Sequence, residues 1–273
     1  MYRMESKQIV CDGSNFITID GGVFGLAMNM DIPSVTYQPK PTGDNAIALG
    51  PYNYATASYS FAAGYASTAS GTQSVAIGYS ADATGVESTA IGSQSRADGQ
   101  DAVGLGYNSY ASGQQAIAGP YSRATGAVSV AFGISDTSSS YGAQGNYSVA
   151  LGYTNKAVGS HSIAAGRDNI VNTGAFYSVA LGQGNIVSSS AQNATSLGQY
   201  NQCYKDDWVT IGQNCHSHRE NSFALGVQAD SAVEGKLAYA SGTFSSRGEA
   251  QGSTFILRSD TTDATAEAMT TNN

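Results

Sequence analysis

Glycine recurs every fourteen residues along much of this chain, and this period limits the possible folds more than any other feature. The glycines end short segments such as NAIALG, YSFAAG, QSVAIG and ESTAIG, and we call each of them a marker glycine. The marker glycines are Gly50, Gly64, Gly78, Gly92, Gly106, Gly133, Gly152, Gly166, Gly182, Gly198, Gly212 and Gly226. A period this short has room for two short strands and two tight turns. The chain is therefore predicted to be all-β, with each repeat forming one coil of a parallel β-solenoid.

Composition excludes several classes of function. Only 12% of the 273 residues are charged and the net charge is −8, so the clustered Lys and Arg of a nucleic-acid-binding protein are missing. No segment has the length and apolarity of a membrane-spanning helix, so no membrane insertion is predicted. The first sixteen residues, MYRMESKQIVCDGSNF, lack the apolar core of a secretory signal, so we expect folding in a cytosol.

Alternation along a strand predicts which side chains point inward. Large apolar residues stand three and one positions before the marker glycine, as Val75 and Ile77 do, and these are predicted to be buried. Small uncharged residues stand four and two positions before it, as Ser74 and Ala76 do. A solvent face would carry charge, so this small-residue face is predicted to pack against other copies of the chain. Five positions after the marker glycine another small residue, such as Ala83, is predicted to point inward.

Three further columns of residues repeat with the coil. A second glycine in many coils, such as Gly71 or Gly85, is predicted to turn the chain with a positive φ. Asparagine stands three positions after four successive marker glycines, where like side chains can bond from coil to coil. The tyrosines that directly follow marker glycines, or Pro120 at the same place in its coil, form either a stiffening stack or a surface that binds a glycan or a cell-surface protein. The asparagines are Asn155, Asn169, Asn185 and Asn201, and the tyrosines are Tyr65, Tyr79, Tyr107, Tyr121 and Tyr153.

One repeat carries a family resemblance. Ser74 to Gly85 reads SVAIGYSADATG and resembles the head repeat of the YadA-like trimeric autotransporter adhesins, and the similarity extends over residues 44–235. The resemblance implies a left-handed parallel β-roll that assembles as a homotrimer, and an adhesive rather than enzymatic function. The handedness and the number of subunits follow from the resemblance alone.

The two ends of the chain depart from the repeat. Residues 1–43 are predicted to cap the first coil or to attach the protein to other virion proteins. Residues 236–273 are expected to continue or to be truncated, and Lys236 to Thr271 resembles a module near the C-termini of bacteriophage tail-fibre and tail-spike proteins.

These features lead to one interpretation and two alternatives. The interpretation is a non-enzymatic trimeric bacteriophage fibre or appendage head, assembled in the host cytoplasm and carried on the virion, that contacts a bacterial surface. The alternatives are a purely architectural virion decoration protein, or the head of a bacterial trimeric autotransporter adhesin at the cell surface. An ice-binding solenoid ranks below all three, because no regular Thr-x-Thr array is present.

Metal and catalytic chemistry have weak support in the sequence. The best metal candidates are Cys203, Cys215, His216 and His218, but the alternation places both histidines on the wet face and Cys203 in an inward slot. No metal site, cofactor or catalytic residue is therefore predicted. Trp208, beside Tyr204 and the pair Asp206–Asp207, is a candidate for an exposed bulge that contacts sugar.

Overall fold

The computed structural model describes residues 26–28, 37–133 and 140–255, with the backbone alone described for 26–28. The chain divides into two units, residues 1–139 and 140–273, and each is described by itself. The predicted boundaries at residues 43 and 235 stay predictions. In the described part of the chain, no helix is long and apolar enough to cross a membrane.

The unit of residues 1–139 contains fifteen described strands, numbered along the chain. They are β1 (Leu26–Met28), β2 (Lys40–Pro41), β3 (Ile47–Leu49), β4 (Tyr54–Ala55), β5 (Phe61–Tyr65), β6 (Thr68–Ala69), β7 (Val75–Tyr79), β8 (Asp82–Ala83), β9 (Thr89–Ile91), β10 (Arg96–Ala97), β11 (Val103–Leu105), β12 (Tyr110–Ala111), β13 (Ile117–Ala118), β14 (Arg123–Ala124) and β15 (Val130–Phe132). Odd-numbered strands form a first sheet and even-numbered strands a second.

The unit of residues 140–273 repeats this arrangement. Its described strands are β16 (Gly142–Ala143), β17 (Val149–Tyr153), β18 (Lys156–Ala157), β19 (Ile163–Arg167), β20 (Ile170–Val171), β21 (Val179–Gln183), β22 (Ile186–Val187), β23 (Thr195–Gln199), β24 (Gln202–Cys203), β25 (Val209–Gln213), β26 (His216–Ser217), β27 (Phe223–Val227), β28 (Asp230–Ser231), β29 (Leu237–Ser241) and β30 (Gln251–Thr254). Here too odd-numbered strands form the first sheet and even-numbered strands the second, except that β30 ends the first sheet.

Strands pair with the strand one coil away, in parallel and in register. In the first sheet Val75, Ala76 and Ile77 lie opposite Thr89, Ala90 and Ile91. In the second sheet Asp82 and Ala83 lie opposite Arg96 and Ala97. The pairing of β29 with β30 is antiparallel. The prediction of an all-β parallel solenoid with coils of about fourteen residues is confirmed.

The interior is filled by the small residues, which corrects the inward-facing assignment made for the first strand. Ser74 and Ala76 are 0% exposed, whereas Ile77 is 36% exposed and Ile91 is 40% exposed. The physical reason is volume, because a coil of fourteen residues leaves little space between its two sheets. At Gly104, which takes the place of the usual alanine, even an added Cβ would lie 2.6 Å from the carbonyl oxygen of Arg96. The prediction that the large apolar residues form the core is wrong.

The inward slot of the second strand is as predicted. Ala83, five positions after Gly78, is fully buried, and the same slot is fully buried in the other coils that the structure describes. It widens to valine at Val171 and Val187, and holds Cys203 in the coil after Gly198. The two strands of a coil therefore bury small side chains against each other.

Asparagine side chains tie successive coils together in the interior, as the sequence predicts. Asn185 Nδ2 donates to the carbonyl oxygens of Leu181 (2.9 Å) and Gly198 (2.8 Å). Its Oδ1 accepts the backbone N–H of Asn201 at 3.1 Å, one coil away. Asn53 bonds in the same way but stands outside the run of four that the sequence shows. Buried amides that satisfy backbone groups in this way stabilise the coil-to-coil stack.

The two kinds of glycine are required for different reasons. The marker glycine Gly212 has a φ of +132°, and an added Cβ there would lie 1.8 Å from the carbonyl oxygen of Gly226. Gly71 has no positive φ, but an added Cβ would lie 1.8 Å from the carbonyl oxygen of Gly85. The prediction of a positive φ at the second glycine is therefore wrong, because close approach of the next coil is what requires glycine there.

Candidate functional site

The outer surface of the first sheet is an apolar face. It is made of the side chains three and one positions before each marker glycine, together with Ile117 at the same position before Pro120, and we use the name apolar face for this set. Its members in residues 1–139 are Ile47, Leu49, Phe61, Ala63, Val75, Ile77, Thr89, Ile91, Val103, Leu105, Ile117, Val130 and Phe132, and in residues 140–273 Val149, Leu151, Ile163, Ala165, Val179, Leu181, Thr195, Leu197, Val209, Ile211, Phe223 and Leu225. None of these residues is charged, and several are more than a third exposed.

An apolar surface of this extent is unusual for an isolated subunit. Exposed contiguous apolar patches on soluble proteins are small, and larger ones mark sites of association. The sequence analysis assigned the subunit contact to the alanine and serine face. That face lies inside the coil, so it cannot contact another subunit. The candidate contact surface is the apolar face on the other side of the same strand.

The predicted tyrosines lie beside the apolar face. In β5 and β7, Tyr65 and Tyr79 follow the marker glycine and are 43% and 55% exposed. Their rings stack with centroids 5.3 Å apart and planes 5° from parallel. Tyr107 and Tyr121 approach to 5.0 Å with a tilt of 52°, and Arg167 lies over Tyr153 at 5.7 Å.

This stacking limits what the tyrosines can contact. In the pair Tyr65–Tyr79 each ring covers one face of the other, while both side chains stay exposed. Contact of a sugar with the flat face of an aromatic ring is thereby reduced, while hydrogen bonding at the edge is retained. A role for the five tyrosines in surface binding stays a prediction.

Trp208 lies in the interior and not in an exposed bulge, which corrects its assignment as a surface candidate. The side chain is 0% exposed and occupies the inward slot four positions before Gly212. Its indole Nε1 has no hydrogen-bond partner among the described residues. The neighbouring Asp206 and Asp207 accept hydrogen bonds from the backbone N–H of Gln192 (2.7 Å) and from Asn193 Nδ2 (3.0 Å), respectively. The pair therefore holds two loops together.

The cysteines and histidines that the sequence offered as metal ligands lie on opposite sides of the second sheet. Cys203 and Cys215 are buried free thiols, whereas His216 and His218 point outward from the second sheet. Burial raises the pKa of the Cys203 thiol to about 11, although its hydrogen bond with Thr210 opposes the shift. Within the described residues no group of three His, Cys, Asp or Glu side chains is placed to hold a metal ion.

His216 contacts the segment that follows β29. Arg247 donates from Nη1 to Nδ1 of His216 at 2.6 Å and from Nε to the carbonyl oxygen of Asn214 at 2.8 Å. Burial, followed by the nearby Arg247 and His218, lowers the pKa of His216 to about 4. The neutral imidazole is thus the form that accepts from Arg247.

Gln251, like Arg247, follows β29 and contacts the second sheet, in its case at strand β28. Its side-chain amide accepts from the backbone N–H of Asp230 and donates to the carbonyl oxygen of Asp230, both at 2.9 Å. The amide thereby pairs with strand β28 as the backbone of another strand would. Such pairing covers an edge that would otherwise be open to association.

The outer surface of the second sheet is a polar face. We use this name for the side chains on either side of the inward slot of the second strand, four and six positions after the marker glycine in most coils. They include Asp82, Arg96, Asp98, Tyr110 and Arg123, which stands directly before the inward slot at Ala124. Arg96 forms ion pairs with Asp98 at 2.8 Å and with Asp82 at 3.8 Å. Burial raises the pKa of Asp82 and Asp98 adds to this effect, while Arg96 opposes it.

The match to a known family follows the same coils. Residues 42–67, 55–81, 69–95, 83–103, 97–118 and 143–169 match the family model described as the YadA head domain repeat. These parts of the chain are similar to the YadA head repeat. The same coil geometry continues from β21 to β29, beyond the matched residues. A search of curated proteins finds no match to the chain.

The family match supports part of the sequence interpretation. The matched repeat is a structural and adhesive one, which agrees with the adhesin part of the interpretation. The resemblance of residues 236–271 to phage fibres stays a prediction, and residues 256–273 lie outside the described residues.

Sequence reasoning missed which side of the first strand faces outward, and it missed the ladder that Arg96, Tyr110 and Arg123 form. The signal for the second was present, because these residues stand at the same coil position in successive repeats. The break of the period at Pro120, which shortens one interval to thirteen, concealed it.

Proposed function

We propose that this protein is an adhesive head that assembles as a homotrimer through its apolar face. The uncharged, partly exposed apolar face is the observation that carries the proposal, since it needs a cover and the YadA-like repeat belongs to trimeric heads. A left-handed roll, as in that family, is part of the proposal.

A second copy of the chain is the cover that fits best. The apolar face repeats with the coil, so the same face on another copy presents apolar residues at the same spacing along the sheet. The large aliphatic side chains would then become the shared core that each coil is too narrow to build within itself. Assembly would leave the polar face available to contact a cell surface.

The head has two candidate locations, a bacterial cell surface and a virion. The family match favours a bacterial cell surface. A virion is the second candidate, favoured by the resemblance of Lys236 to Thr271 to phage fibre modules and by the reversal of the chain between β29 and β30. Immunogold labelling of a producing culture separates the two: label on cell envelopes supports the first, and label on phage particles supports the second.

Adhesion is tested with the purified protein. Labelled protein is incubated with a panel of intact bacterial and animal cells, and the retained label is measured after washing. We expect saturable retention on at least one cell type that excess unlabelled protein abolishes. Retention that never saturates, or none on any cell, would contradict the adhesive function and leave an architectural one.

A further inference from the structure

We infer that Arg96, Tyr110 and Arg123 form a binding site for a carboxylate-bearing polysaccharide, and we call these three residues the arginine ladder. The inference rests on the proposed function, because it assigns the contact surface of the adhesive head to the polar face.

The three side chains lie on consecutive strands of the second sheet. Arg96 pairs in register with Tyr110, and Tyr110 pairs with Arg123. The Arg96 guanidinium lies 5.2 Å from the centroid of the Tyr110 ring, and that of Arg123 lies 4.3 Å from it. The ring thus holds two cations in fixed positions, separated along the sheet by two strand spacings.

Arg123 carries unused hydrogen-bonding capacity. Its Nε is buried and has no hydrogen-bond partner among the described residues, and no ion pair of Arg123 occurs among them. Arg96 by contrast is paired with Asp98 and Asp82. Arg123 as a whole is half-buried, and the accessible part of a planar guanidinium can bind a carboxylate through charge-assisted hydrogen bonds.

Charge favours a carboxylate over a phosphate group. The chain has a net charge of −8, and Asp82 and Asp98 lie beside the ladder. A singly charged carboxylate meets less repulsion from these acids than a phosphate that carries more charge.

The sheet favours a polysaccharide over an acidic peptide. Backbone groups in β10, β12 and β14 are already paired within the sheet, so a peptide could not add as a further strand. The site offers side chains only: the Arg123 guanidinium without an ion-pair partner among the described residues, the half-exposed Arg96 that Asp82 and Asp98 partly neutralise, and the edge of the Tyr110 ring. These groups suit the acid and hydroxyl groups of a uronic-acid chain.

The test is titration calorimetry of the full chain with oligogalacturonate. Its methyl-esterified form is the matched neutral probe, and inorganic phosphate and oligoglutamate are the competing anions. We expect the free acid to bind and the ester and phosphate to bind much more weakly. We also expect Arg123→Gln to weaken binding about tenfold, the loss of one charge-assisted hydrogen bond. Arg123→Lys keeps the charge without the planar fork and should weaken binding less.

The control is Arg219→Gln, which removes the same charge at an exposed position and should leave binding unchanged. Equal affinity of the wild type and Arg123→Gln, equal affinity for acid and ester, tighter binding of phosphate or oligoglutamate, or no binding to the wild type would overturn the inference. The mass of every sample is measured by light scattering. A trimer that does not bind overturns this inference and leaves the trimeric assembly standing, while a monomer contradicts the proposed assembly.

Discussion

The apolar face and the polar face belong to the same coils yet differ in almost every side chain. Both sit on strands that bury small residues on their inner side, so the interior does not distinguish them. The apolar face has no charged residue, whereas the polar face carries Asp82, Arg96, Asp98, Lys156 and Asp230. A repeat that admits charge on one outer face and excludes it from the other indicates that only one of them stays in water.

Introducing a charged residue on one face or the other should give the largest difference between the two faces, seen in the mass of the assembly. Leu181 on the apolar face and Ile186 on the polar face lie in the same coil, and both are outward-pointing aliphatic residues. Leu181→Asp should dissociate the assembly, because every subunit would bury an unpaired carboxylate at the contact. Ile186→Asp should leave the mass unchanged. Light scattering of both variants decides this, and an assembly that tolerates both substitutions equally would contradict the assignment of the faces.

The interior that supports both faces should be most sensitive at the marker glycines. Gly212→Ala places a Cβ 1.8 Å from the carbonyl oxygen of Gly226 at a φ of +132°. We expect the free energy of unfolding to fall by about 3 kcal/mol or more. At Gly235 the φ is +67° and nothing lies within 4 Å of an added Cβ, so Gly235→Ala should cost about 1 kcal/mol. Urea unfolding measures the loss in free energy of unfolding for each variant. Equal losses would show that neighbouring coils move apart readily to make room for the added Cβ at Gly212.

The asparagine ladder should contribute less than a marker glycine. Asn185→Ala removes the hydrogen bonds to Leu181, Gly198 and Asn201, and we expect a loss of about 2 kcal/mol. Asn172→Ala is the control, because Asn172 lies on the polar face and its side chain makes one hydrogen bond, to the carbonyl oxygen of Val187. It should cost under about 1 kcal/mol. A smaller loss at Asn185 than at Asn172 in urea unfolding would contradict a structural role for the ladder.

Stability should also depend on pH at the end of the polar face. The pKa of His216 is about 4 in the folded chain, below its ordinary value of 6.5. Between these two values the unfolded chain binds the proton and the folded chain does not, so the free energy of unfolding falls as the pH is lowered through this window. Above pH 6.5 this contribution is fully present.

Thermal unfolding at a series of pH values tests this effect. His216→Gln should flatten the profile between pH 6.5 and pH 4, while Arg247→Gln, which removes the adjacent cation, should reduce its slope. An unchanged slope in His216→Gln would show that other groups cause the pH dependence.

The sequence predicts the period, the sheet pairing and the inward slot of the second strand, but not the inward side of the first. On the second strand charged neighbours such as Asp82 and Arg96 mark the solvent side, so Ala83 has to point inward. On the first strand both sides are uncharged, and apolar size favours Ile77 over Ala76 for the core. The interior is too narrow for Ile77, so Ala76 points inward instead. The distance between the two sheets, which sets this limit, arises only when the whole coil is formed and cannot be read from one strand.

The same limit explains the placement of Trp208 and of the tyrosines. Trp208 occupies a slot that holds serine in many other coils, and its size suggested an exposed loop. The stack of Tyr65 on Tyr79 is one of the two arrangements that their shared coil position predicts. Which ligand these residues contact depends on what covers the adjoining apolar face.

The most direct test of the account is the mass of the wild-type protein in solution, measured by light scattering on a sizing column. If the apolar faces of three chains meet in a homotrimer, the protein has a mass of three times 28.0 kDa. A stable species of 28.0 kDa would contradict it, because the apolar face would then remain exposed to water.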